Sequence, residues 1–573
     1  MSRLIILFAA MLLVACDRNS APEPEGTGNG IPTAQEQTQA SAPADPALTA
    51  ELLARIDADT AKLWLSLEPM PEALLEQLWS QLAPLGDLQE EAYGDIAENV
   101  DHPVIRALLT ELGQLDSPEA YAERGIDING LAGLHLVSVY PLLHWQLTDQ
   151  EAFAAMLARI ESESETPLPR RQVGEEEIVW LELDRVGLAI HHDAHFVTIG
   201  LVADREQLLR RIAGLDRAGT ALERSDVDAF ARERGLRQDS FGYIDFERLT
   251  GLLLDGEDEL LVQMRADSPL GQVAEDANCR RELGQLTRAF PRKSYGTTEL
   301  SANALSMKLT LETNPELGEN LAALADSPVS LAPQPAGLAS VGMALNIVAA
   351  RDFGRDVVGG WVDNPPQCFL FSNIAENAAE WQLALNRPIP PLVTNLHGAR
   401  LQLQQIDLEN GELGDVAGTL AVFMRNPQMM IGMAQMFSPE LAALDLRPGA
   451  DPQPIPPGLV PQLDGVPAWI ALSDGGLGLA IGENQDAALP SALSAGSADS
   501  AVLSFGFDMA GYVELMEAGL GALAVRTGAN ENLDSSEATA GWRVLAELYR
   551  YMYQSLHLTP EGIEMRIRFD LAE

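Results

Sequence analysis

Lysine is almost missing from this chain. Lys62, Lys293 and Lys308 are the whole set, and Lys and Arg together number 37 against 84 Asp and Glu. The formal net charge of −47 argues against a nucleic-acid partner, because phosphate backbones are held by clustered cations. It also argues against a body lying flat on an anionic leaflet, where like charges repel. Aromatic residues are scarce at 6%, so the core must be built mainly from Leu, Ala, Val and Ile, and a 46% hydrophobic content excludes global disorder. Beyond the amino terminus no stretch reaches ~18 unbroken apolar residues, which excludes a membrane-spanning helix in the mature chain. Catalytic signatures are missing too: there is no GxSxG elbow, HExxH, SxxK, Walker A loop or GxGxxG following a strand. His102, His135, His144, His397 and His557 are isolated along the chain. No enzyme and no cofactor are therefore expected, although a triad scattered in sequence would meet only in the fold.

What is present begins at the amino terminus. Arg3 precedes the apolar run Leu4–Ala15 (LIILFAAMLLVA), too short to span a bilayer and of the length of a signal-peptide core. The run ends in Leu13-Val14-Ala15-Cys16, which resembles the lipobox of bacterial lipoproteins. The resemblance implies cleavage after Ala15, diacylation of Cys16 through a thioether, and acylation of the new amino terminus. Several acyl chains make such an anchor stable where one is marginal. Asp17 resembles the inner-membrane retention mark of enterobacterial lipoproteins, while Arg18 departs from the usual polar partner. The expectation is a protein facing the periplasm, with the inner membrane favoured over the outer. Residues 16–46, the lipidated cysteine and a stretch rich in Pro, Gly, Ser, Thr and Gln, read as a flexible tether reaching ~30 Å.

The body carries a faint internal repeat. Four segments pair a short apolar strand with a polar cap and an amphipathic helix. They start at Leu63–Glu68, Phe241–Asp245, Val341–Asn346 and Val502–Asp508, and Asp or Asn at the strand end suits a helix N-cap. Two hairpin patterns match, Ala189–Gly200 turning at Asp193-Ala194 and Ile470–Gly482 turning at Asp474-Gly475. Wide strand pairs near 131–147 and 399–423 are each followed by a helix, and both halves close on alternating strands, Ala304–Leu311 and Gly562–Leu571. The predicted fold is α+β, with two related domains at 47–330 and 331–573, mostly antiparallel sheets, and helices on one sheet face. The Pro-rich stretch 446–467 reads as an irregular loop.

Few side-chain clusters suggest chemistry. Cys279 and Cys368 are expected to form a disulfide in an oxidising compartment. Closing a loop of about 90 residues contributes ~4–5 kcal/mol in the chain-entropy model, and the bridge would staple the two halves together. His191, His192, Asp193 and His195 are the densest metal-like group, but the matching turn of the second half lacks histidine, so a solvated hairpin tip is favoured and no metal is expected. Met429, Met433 and Met436 share a helix face in FMRNPQMMIGMAQMF. They read either as an adaptable surface for an apolar ligand or partner, or as the buried side of a helix on its sheet. The functional expectation is a non-enzymatic envelope protein that binds a protein partner. Its rivals are a carrier or sensor of an apolar ligand and an envelope hydrolase without a readable motif.

Overall fold

The computed structural model describes residues 44–571, apart from 83–92, 95, 98–99, 332–336, 410–411, 458, 461–464, 495–499, 528–541 and 544. The signal segment 1–15, Cys16, Asp17 and nearly all of the tether lie outside the described residues. No described helix is long and apolar enough to cross a membrane. The architecture is α+β and antiparallel, in two compact units.

Unit 1 takes the described residues up to Glu275 together with Arg292–Met307 and Leu571. Its strands are β1 (Lys62–Ser66), β2 (Ala132–Val137), β3 (Tyr140–Gln146), β4 (Arg170–Val173), β5 (Glu176–Leu183), β6 (Val186–His192), β7 (Phe196–Val202), β8 (Phe241–Asp245) and β9 (Arg292–Leu300). Antiparallel pairing gives the order β4-β5-β6-β7-β3-β2-β1-β8-β9. The unit boundary falls within β10 (Ala304–Glu312).

Unit 2 takes Asp276–Pro291 and Lys308–Asp570. Its strands are β11 (Ala339–Ala344), β12 (Leu396–Glu409), β13 (Glu412–Met424), β14 (Gln453–Pro454), β15 (Ala468–Leu472), β16 (Gly476–Ile481), β17 (Ala501–Asp508), β18 (Tyr549–Thr559) and β19 (Gly562–Leu571). The pairings run β14-β15-β16-β13-β12-β11-β17-β18. This order coincides strand for strand with β5-β6-β7-β3-β2-β1-β8-β9 of unit 1. The two-residue strand β14 lies inside the Pro-rich stretch expected to be wholly irregular.

The expected caps form. Asp245 accepts from Arg248 N at 3.0 Å, Asn346 from Ala349 N at 3.1 Å and Asp508 from Gly511 N at 2.8 Å, each satisfying an otherwise orphaned donor of the following helix.

Three expectations need correction. Helices cover both faces of the unit 1 sheet, not one. Ile178–Leu181 of β5 is buried at four consecutive positions, as in a strand covered on both sides. Val179 and Leu181 pack with Phe153 and Ile160, while Ile178 and Trp180 pack with Leu208 and Ile212. Second, unit 2 does not begin at 331: it begins within β10 and also takes the helix Ala277–Ala289. Third, and as a result, the disulfide closes between Cys279 and Cys368 inside unit 2 and does not staple the halves. Glu282, one turn beyond Cys279, accepts from Gln367 N at 3.0 Å and Cys368 N at 3.1 Å and so seats the second cysteine's loop on that helix.

Candidate functional site

Register places one continuous apolar row across unit 1. Trp64 lies opposite Leu134, Leu134 opposite Leu143, Leu143 opposite Ile199, and Ile199 opposite Ile190. Side chains directly opposite in antiparallel strands share a face, so these five form a floor. The roof is helical: Leu108, Glu111 and Leu112 from Pro103–Gly113, Tyr121 from Pro118–Glu123, and Phe153, Met156 and Leu157 from Gln150–Glu163. Between floor and roof lies a cavity of about 120 Å³ with almost entirely apolar walls. Trp64, Tyr121 and Trp145 meet at its edge, with ring centroids 6.3 Å apart for Trp64–Trp145 and 6.1 Å for Tyr121–Trp145.

One buried ionic cluster interrupts this wall. The Glu111 carboxylate accepts from Arg124 Nε at 2.9 Å and from Arg159 Nη2 at 2.7 Å. It thereby links the helix Pro103–Gly113 to the end of Pro118–Glu123 and to Gln150–Glu163. Gly125 sets the start of that last helix. At φ +72° its carbonyl accepts from Thr148 N and Asp149 N, and a Cβ there would meet Asp149 O at 2.0 Å, a place that requires glycine.

A second polar row runs on the opposite face of the same sheet. His135 and His144 stack with Nε2 atoms 3.2 Å apart, and His144 Nδ1 lies 2.9 Å from Thr198 Oγ1. His135 Nδ1 is buried without a hydrogen-bond partner among the described residues. Burial, and then the charge of Arg211, push the His135 imidazole down to about 3, and burial followed by His135 holds His144 well below the usual range. Both rings are therefore neutral at physiological pH. Lys62, fully buried beside them, donates to Ala58 O at 2.5 Å and Thr60 O at 2.7 Å, and burial brings its ammonium down to about 8.

The structure separates the metal-like residues. His191 faces Glu176 with Nε2 3.3 Å from Oε2, and His192 packs edge-on against Phe153. Asp193 pairs with Arg55 at 2.7 Å, and His195 Nδ1 lies 2.9 Å from Glu51. No group of three His, Cys, Asp or Glu able to hold a metal exists among the described residues. The turn also sits one residue later than expected. Asp193 N donates to Phe196 O, so Ala194-His195 is the loop, because the Asp193 carboxylate captures the His195 and Phe196 N–H groups. Its counterpart is Ser473, whose N donates to Gly476 O around Asp474-Gly475.

In unit 2 the corresponding row runs Val341, Leu401, Leu420, Leu479 and Ile470. One end of this face is open, with Val341 40%, Leu401 38% and Phe505, opposite Val341, 42% exposed, while Ile470 at the other end is buried. The methionines stand outside as well, with Met429, Met433 and Met436 exposed and Ile431 and Pro427 buried. A serine–histidine contact also occurs, Ser500 Oγ to His557 Nδ1 at 3.1 Å. The Ser555 hydroxyl lies 2.8 Å from Nε2, so Ser500 stands at the Nδ1 side, where a hydrolase triad has its orienting carboxylate.

Neither the floor residues Trp64 and Trp145 nor the Glu111–Arg159 pair was singled out by sequence. Their partners lie tens of residues away, and the available signal was the clustering of tryptophan in strands of the first half. Compared with known proteins, the chain matches no family model, no curated protein and no solved structure.

Proposed function

We propose that this chain is a non-enzymatic, lipid-anchored binding protein of the bacterial cell envelope whose first unit holds an apolar ligand. The cavity between the Trp64–Ile190 row and its helical roof carries the reading. An apolar space close to aromatic rings with few polar groups suits a hydrocarbon guest. The anchor is Cys16, with the body facing the periplasm and, from Asp17, the inner membrane favoured. The two units are read as copies of one ancestral domain. In support, they share a strand order and an equivalent bond: Leu147 N to His195 O in one, Met424 N to Gly475 O in the other.

A second reading, docking of an envelope protein partner, is favoured by one observation. Among the described residues, the large apolar side chains that stand exposed lie in unit 2, with Val262 the exception. Exposed apolar patches mark interaction surfaces.

The test of the ligand reading uses the full chain carrying Cys16→Ala. Titration with the neutral apolar probe N-phenyl-1-naphthylamine should quench tryptophan emission and saturate. Ile199→Trp, which fills the cavity, should abolish saturation while the fold persists by circular dichroism. No saturable binding, or binding unchanged by Ile199→Trp, would overturn the reading. Separately, Cys16→Ala should move the protein from the membrane to the soluble periplasmic fraction. Retention in the membrane would remove the anchor.

A further inference from the structure

We propose that the guest of the unit 1 cavity is a single-chain amphiphile with an anionic head, a segment of its chain inside and its head against Arg159. This rests on the apolar-ligand reading above and adds the sign of the head group.

Among the described lining residues Glu111 is the only charged one. A charged head cannot follow its chain into hydrocarbon without a large desolvation cost. It must stay where the wall reaches water, and the Glu111 cluster reaches water through Arg159, whose side chain is 48% exposed. The buried Arg124 is fully committed: besides Glu111 it donates to Ala120 O at 3.0 Å and Gln114 Oε1 at 3.0 Å. Arg159 is not. Its Nε and Nη2 both donate to Glu111 Oε1, and Nη1 has no partner among the described residues.

One carboxylate against two guanidiniums leaves the cluster one positive charge in excess, within a chain of net charge −47. A cationic head would face two guanidiniums, and a neutral head gains nothing from the excess. A carboxylate or phosphate matches the fork of a guanidinium. A volume of about 120 Å³, well below the ~300 Å³ at which ordinary small-molecule pockets begin, seats a segment of one alkyl chain and leaves no room for a second. The shared chemistry is an oxyanion on one alkyl chain. Its source is either a free fatty acid or a phosphate-headed single-chain lipid.

The experiment compares laurate, dodecyl phosphate, dodecanol and dodecylammonium as competitors of N-phenyl-1-naphthylamine on the full chain carrying Cys16→Ala. The anionic chains should bind about tenfold more tightly than dodecanol. Arg159→Gln should erase that preference without weakening dodecanol, and Arg159→Lys should restore part of it. Laurate tighter than dodecyl phosphate names the fatty acid, and the reverse names the phosphate-headed lipid; either supports the proposal. Equal binding of laurate and dodecanol, a preference that survives Arg159→Gln, or tightest binding by dodecylammonium overturns it and leaves the apolar-ligand reading standing. Failure of every chain and of the neutral probe overturns both.

Discussion

In unit 1 the row Trp64–Leu134–Leu143–Ile199–Ile190 lies under helices. In unit 2 the row at the same register positions, Val341–Leu401–Leu420–Leu479–Ile470, keeps two of its members more than a third exposed. The strands are not what differs, since their order and pairing coincide. The cover differs. Pro103–Gly113 of unit 1 packs against Gln150–Glu163 and closes the roof. In unit 2 the helices Ile347–Asp363 and Ser372–Leu385 pack on each other, with Trp361 and Trp381 in edge contact at 6.2 Å. The helix Pro427–Phe437 is left with its methionines outward. Counted from Leu143 and Leu420, which hold corresponding places in the two rows, Met433 occupies the place of Met156, which lines the cavity of unit 1. A sheet can present the same apolar face to two purposes, and the helices inserted between its strands decide which.

The largest effect expected from this contrast is in stability. Leu134→Asp buries a carboxylate under the roof and should cost at least about 4 kcal/mol in denaturant unfolding. Leu401→Asp, at the equivalent position, should cost under about 1 kcal/mol. Equal losses would mean that the unit 2 face is covered and would break the comparison.

The second effect is smaller and separates the units by pH. On the opposite face, unit 1 carries His144 beside Gly133, whereas unit 2 carries Arg400 beside Ala421 at the same pair of positions. Arg400 donates to Ala492 O at 2.7 Å and packs over Phe423. The folded-state pKa values of His135 and His144 lie below the unfolded value of about 6.5. The unfolded chain therefore binds more protons below that pH. Their contribution is intact above pH ~6.5 and is lost as pH falls toward 3, by about 2 kcal/mol from His135 alone at pH 5. Hydrogen exchange at pH 7 and pH 5 should show β2 and β3 losing protection more than β12 and β13. A uniform loss would show that the histidine row does not set the difference.

Local features were legible in the sequence, and particular residues show why. Asp245, Asn346 and Asp508 cap the helices expected of them because capping depends on three or four consecutive residues. The strand Phe241–Asp245 falls where the strand–cap–helix pattern placed it, and Gly562–Leu571 where alternation did. Even locally there was a limit. At Asp193 two turns competed, and the carboxylate's reach to two backbone N–H groups moved the loop by one residue. Coverage of both faces of β5 is written in the apolar run Ile178–Leu181, against the expectation of helices on one sheet face.

By itself the sequence determined the elements, their caps, the pairing of Cys279 with Cys368 and the acidity of the body, since each depends on neighbouring residues, on overall composition or on a count. Tertiary structure alone decided that the helix Ala277–Ala289 belongs to unit 2, that Arg159 reaches Glu111 from 48 positions away, and that one apolar row is roofed while its counterpart is open at one end. Those outcomes come from packing between segments distant along the chain. Hydrophobic burial has no direction, so a pattern of apolar residues says that a face will seek cover without saying which segment supplies it.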